Sequence, residues 1–81
     1  MGVSTFTIGR FIYKEHKETF GQRLKRIRKA KGLTQVALAN KSGIDQHFIS
    51  NYEVEKTVPS LPTLEWLCKA LDITATELLG Y

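Results

Sequence analysis

Apolar residues recur at helical spacing from Phe20 onward and at strand-like spacing before it. Phe20, Leu24 and Ile27 stand at i, i+4 and i+7, which places them on one face of a helix. Thr19 with Gln22 three residues later is a capping box that opens this helix, and Gly32 stops it after about Lys31. Thr34 caps a second helix, with Leu33 placed to staple onto Leu38. Asp45 caps a third, with Ile44 reaching Ile49, and this helix is expected to end near Glu53 or Val54. Ser60 is expected to cap a fourth, whose first turn tolerates Pro62 because a missing N–H is harmless there. Leu64, Leu67, Cys68 and Leu71 form its core face, and Trp66 falls off it. Thr74 with Glu77 is a second capping box, so a short fifth helix closes the chain before Gly80, with Ile73 stapled to Leu78. In residues 1–13, Val3, Thr5 and Thr7 alternate with Phe6 and Ile8, which favours an extended segment. A lone strand is not stable, so this arm is expected first of all to pair with its copy in a dimer. Docking on its own domain and continuation into a helix through residues 14–18 remain open.

The stretch from Leu33 to Glu53 organises the rest. Ala39 is small enough for a second helix to cross close to the first, and Gly43 can take the left-handed backbone of a sharp break. Leu38, Ala39, Ile44 and Ile49 then share one buried side. This is the logic of a helix-turn-helix, whose second helix lies in the DNA major groove. The first turn and outward face of that helix carry Gln46, His47, Ser50 and Asn51, the expected base contacts. Gln and Asn suit adenine, to which they can hydrogen-bond in bidentate fashion. Gln35 and the free N–H groups at the start of the second helix are expected to meet a phosphate, with Thr34, Lys56 and Thr57 as weaker partners.

The same stretch resembles the phage-repressor and Cro-like (XRE-type) helix-turn-helix regulators. The matching residues are Leu33-Thr34-Gln35, Leu38-Ala39, Gly43-Ile44, Phe48-Ile49-Ser50 and Glu53, followed by Pro59-Ser60 and Leu64, Leu67, Leu71, Ile73 and Leu78. The resemblance covers roughly residues 19 to 80. It implies an all-α, five-helix bundle over 19–81 with base reading from Gln46, His47 and Asn51 and a phosphate contact at Gln35. It also implies a buried ion pair between Arg28 and Glu53, both of them structural, and leaves open a phosphate contact at Arg28. Residues 1–18 are left as a separate N-terminal arm. Glu55 departs from the family pattern, which has glycine there because the backbone turns left-handed after the recognition helix; loop 54–58 is therefore either strained or differently routed.

Charge and composition narrow the function further. Residues 10–31 hold nine Lys or Arg against two Glu, whereas residues 53–81 hold two Lys against five carboxylates. The basic half points to a polyanion partner such as double-stranded DNA. Two His, one Cys and scattered carboxylates show no nucleophile–base constellation and no metal spacing, so neither an enzyme nor a metal or cofactor site is expected. No stretch approaches the roughly 20 apolar residues of a membrane span, no secretory leader is visible, and a cytoplasmic location is expected. One recognition helix covers too few base pairs to find a single site in a genome, and no separate dimerisation domain is evident. A homodimeric repressor is therefore expected, with Phe6, Ile8, Trp66, Leu79 and Tyr81 at its interface. The alternative is an antitoxin that binds its operator and a toxin protein, the latter through residues 1–18.

Overall fold

The computed structural model describes residues 18–80, and within them the chain forms five helices and no strand. They are α1 (Phe20–Ala30), α2 (Gln35–Ser42), α3 (Gln46–Glu53), α4 (Leu61–Leu71) and α5 (Ala75–Leu79). None of them is long and apolar enough to cross a membrane. Residues 1–17 and Tyr81 lie outside the described residues, and with them nearly all of the expected arm and the interface candidates Phe6, Ile8 and Tyr81.

Local rules set most of the boundaries. Thr19 and Thr74 each form a complete capping box, with Gln22 and Glu77 respectively. Backbone and side-chain bonds from Thr74 hold the Glu77 carboxyl below the usual carboxylate range. The Thr34 hydroxyl accepts from the Ala37 N–H, and the Asp45 carboxylate accepts from the His47 N–H at 2.8 Å. Ser60 occupies the cap position of α4 but makes no side-chain cap bond, contrary to expectation. Its hydroxyl lies instead 3.0 Å from that of Thr63, and these two side chains satisfy each other.

Helices α1, α3 and α4 end in one way. A residue in the left-handed region follows the last turn, and its own N–H and that of the next residue donate back to helix carbonyls. Gly32 (φ 76°) does this after α1, Glu55 (φ 66°) after α3 and Asp72 (φ 56°) after α4. The bonds are Leu33 N–H to Arg28 carbonyl, Lys56 N–H to Asn51 carbonyl and Ile73 N–H to Cys68 carbonyl, at 3.1, 2.9 and 3.0 Å. Leu33 and Ile73, the apolar residues just past two of these ends, pack onto the core. Loop 54–58 thus follows the glycine-type path with a glutamate in the glycine position. That backbone alone costs roughly 1–2 kcal/mol in an L-residue.

The side chain of Glu55 supplies the offset. Its carboxylate accepts the Gly21 N–H at 2.9 Å and the Thr19 hydroxyl, so the end of α3 is tied to the first turn of α1. The approach is close. A Cβ on Gly21 would meet the Tyr52 and Glu53 carbonyl oxygens at 2.5 and 2.7 Å, as well as the Glu55 carboxylate. Only glycine fits at this crossing.

Leu24, Leu38, Ile49, Leu67, Leu71 and Leu78 are fully enclosed, one or more from each helix. Removing any of these side chains down to Ala is worth about 2–5 kcal/mol. The shared side of the helix-turn-helix is as expected: Leu38, Ile44 and Ile49 are buried, and Ala39 packs against them. Gly43 breaks the chain between α2 and α3 at φ 78°.

Candidate nucleic-acid interface

The interface is built around a buried ion pair. Arg28 on α1 and Glu53 at the end of α3 are both buried, an arrangement that requires each charge to be fully partnered. The guanidinium is bidentate: Nε donates to Glu53 Oε2 at 2.6 Å and Nη2 to Oε1 at 3.0 Å. Nη1 donates to the Leu33 carbonyl at 2.8 Å. With its donors turned inward, Arg28 does not face a phosphate, which corrects that part of the sequence reading.

Gln35, the first residue of α2, extends the pair outward. Its Nε2 donates to Glu53 Oε1 at 3.0 Å, and its Oε1 lies 3.4 Å from Gln46 Nε2 at the start of α3. Arg28, Glu53, Gln35 and Gln46 therefore form one polar chain from the interior to the outer rim of the helix-turn-helix. Gln46 keeps its carbonyl oxygen and one N–H free of protein partners among the described residues. Those two groups are the complement of adenine's major-groove edge.

The other expected readers lie on the same helix. Gln46 and His47 are exposed, and Ser50 and Asn51 are half-buried. His47 Nε2 and Asn51 Nδ2, one turn apart, are 3.4 Å from each other. Phe48 is half-exposed beside His47, with ring centroids 6.0 Å apart. Two further residues join this face. Val36 and Asn40, one turn apart on α2, are exposed and line an open concavity with Gln46 and Asp45. Their i, i+4 spacing on the outer face of α2 was the available signal. Thr34 is exposed at the start of α2, and Lys56 and Thr57 are exposed in the loop after α3.

The basic run of α1 is less available than its count implies. Arg28 is internal, and Arg23 donates to the Glu18 and Leu78 carbonyls. Arg26 makes a two-pronged bond to Glu18, which holds that carboxyl below its ordinary value. Lys31 lies with Glu77 in a concavity against α5. Arg23 and Arg28 are thus drawn into the fold, whereas Lys25, Arg26, Lys29 and Lys31 remain exposed.

Trp66 is half-exposed on α4 and shares a concavity of about 300 Å³ with Phe48, Tyr52, Thr63 and the α2–α3 turn. Leu79 is half-buried at the end of α5.

A family model described as a helix-turn-helix domain (HTH_19) matches residues 21–80. The immunity repressor protein of Bacillus phage phi105 is 42% identical over 62 residues, covering 76% of this chain and 43% of that protein. The HTH-type transcriptional regulator SinR of Bacillus subtilis (strain 168) is 38% identical over 60 residues, covering 73% of this chain and 54% of that protein. The chain thus spans about half the length of these two relatives. Among solved structures, the restriction-modification controller protein C.AhdI from Aeromonas hydrophila superposes with a TM-score of 0.71 at 44% identity, over 73% of this chain and 89% of that one. SinR, a regulator of biofilm formation solved in complex with DNA, gives 0.72 at 37% identity, over 75% and 98%.

Proposed function

Because the chain belongs to the helix-turn-helix family of transcriptional regulators, we propose that it is a sequence-specific repressor that reads double-stranded DNA with α3. One observation carries the reading: the buried ion pair, through Gln35, holds Gln46 at the head of a polar row that continues with exposed His47 and half-buried Ser50 and Asn51. A pre-positioned amide loses little freedom on binding, so its hydrogen bonds go into discrimination between bases. Gln35 keeps a second amide N–H and stands with Thr34 at the N-terminal end of α2, where free backbone N–H groups favour a phosphate. Lys56 and Thr57 flank the other end of α3 and take the next phosphate. SinR, a relative by sequence and by fold, was solved in complex with DNA, which supports DNA as the ligand. A homodimer on a pseudo-palindromic site fits the small span of one recognition helix. Trp66 and Leu79 are its candidate contacts among the described residues, with Phe6, Ile8 and Tyr81 beyond them.

Selection of bound duplexes from a random pool provides the test. It should return two half-sites about one DNA turn, roughly 34 Å, apart, with adenine in each. Gln46→Ala and Asn51→Ala should each weaken the selected site by about 1–3 kcal/mol and leave binding to random duplex unchanged. Gln35→Ala should lower affinity on both, because a phosphate contact carries no sequence information. Equal losses on selected and random DNA for the α3 variants would overturn the assignment.

A further inference from the structure

Both amides of the α3 row are braced through one N–H each. Gln46 Nε2 lies 3.4 Å from Gln35 Oε1, and Asn51 Nδ2 lies 3.4 Å from His47 Nε2, one helical turn back. An amide nitrogen can only donate, so His47 Nε2 is the acceptor and the neutral ring carries its proton on Nδ1. This bond decides which way round the Asn51 amide stands. The second N–H of Asn51 and its Oδ1 have no protein partner among the described residues, and they are the donor and acceptor that adenine takes.

The two braces differ in their chemistry. The Gln35 amide does not titrate, whereas an imidazole takes up a proton in the physiological range. An imidazolium has an N–H on both nitrogens and no acceptor to offer Asn51. His47 is exposed, with the Phe48 ring 6.0 Å away. Asp45, the carboxylate nearest in sequence, accepts the His47 backbone N–H through Oδ1 and makes no ion pair with the ring. Helices α1 and α2 pack against α3. From α1, Arg28 is turned inward onto Glu53, and from α2 comes Lys41; among the described residues neither bonds to the ring.

We propose that His47 is a positioning residue for Asn51 and makes the base chosen by Asn51 depend on pH. Beside neutral His47, Asn51 presents one donor and one acceptor and takes adenine. Beside protonated His47 the amide turns over. Its Oδ1 then accepts from the ring, and both N–H groups face the groove, where guanine N7 and O6 are the acceptors that suit them. The added charge also attracts the phosphate backbone. Acidification should therefore raise affinity for duplex of any sequence while it erases the adenine preference at one base pair. The pair read by Gln46 should keep its preference, because Gln35 has no proton to gain. This inference rests on the reading of DNA by α3.

The test measures binding of the full chain to a duplex selected from a random pool at about pH 8, and to its single base-pair variants, at about pH 8 and about pH 5.5. Asn51→Ala at the higher pH marks the pair that Asn51 reads. There the wild type should prefer adenine by at least about tenfold at the higher pH, and at the lower pH lose that preference or turn it to guanine. His47→Gln keeps an acceptor on the same turn but cannot gain a proton, so its preference at that pair should be the same at both pH values. A wild-type preference unchanged on acidification, or one that falls equally in His47→Gln, would overturn the proposal. An Asn51→Ala variant that alters no pair at the higher pH would overturn the base reading and this inference with it. A second readout needs no DNA. In isotope-labelled protein the Asn51 side-chain amide signals should move together with the His47 ring during a pH titration. Amide signals that stay still while the ring titrates would overturn the proposal even where the base reading holds.

Discussion

Arg28 and Glu53 join two distant helices through one buried ion pair. Either charge left alone in its buried position costs about 3–5 kcal/mol. Arg28→Ala and Glu53→Ala should each destabilise the domain by that amount in urea unfolding, and the double variant should lose less than the sum. A cycle with no coupling energy would remove the pair from the account. The pair was reachable from the sequence only through likeness to a family, because nothing local joins residues 25 positions apart. Gln35 is a clearer case. Its place at the start of α2 pointed to a phosphate, but its bond to Glu53 depends on how α2 and α3 cross. Arg28 is paired and buried as expected, and its three internal acceptors rule against the phosphate contact that the sequence left open.

At the scale of elements, the legible features were those whose cause lies within four residues. The capping boxes at Thr19 and Thr74 and the Thr34 and Asp45 caps form as their spacing dictates. Ser60 has the right residue in the right place, yet its hydroxyl takes a neighbouring side chain instead. Two left-handed helix ends carry no glycine, at Glu55 and Asp72, and composition alone gives no warning of the latter beyond the tolerance of Asp for that backbone. Gly21 carried no signal in the sequence, because its need arises from α3 passing over it. Ala in place of Gly inside an exposed helix gains up to about 1 kcal/mol. Here the new methyl would strike backbone carbonyls, and overpacking of that kind costs about 1–3 kcal/mol. Gly21→Ala should therefore lower stability in chemical unfolding. Glu55→Gly should do so more mildly, by ~1 kcal/mol, since it relieves the backbone but removes two charge-assisted hydrogen bonds. A stabilised Gly21→Ala variant would show that the crossing is looser than described.

For the whole molecule, assembly is the property that the helices alone leave open. Sedimentation at micromolar concentration should show a homodimer, and Trp66 fluorescence should change on dilution as the copies part. A clean monomer both free and on DNA, with Trp66 emission unchanged, would show that the interface has been placed wrongly at Trp66. Within a single copy, the Glu55 carboxylate joins residues 34 and 36 positions apart in the sequence. A tie across so long a loop makes the first helix and the recognition helix one cooperative unit. The end of α3 cannot fray while α1 stays formed. The proposed DNA-reading surface should then hold its shape up to the melting of the domain, and affinity for a selected duplex should fall with temperature along the unfolding curve rather than ahead of it.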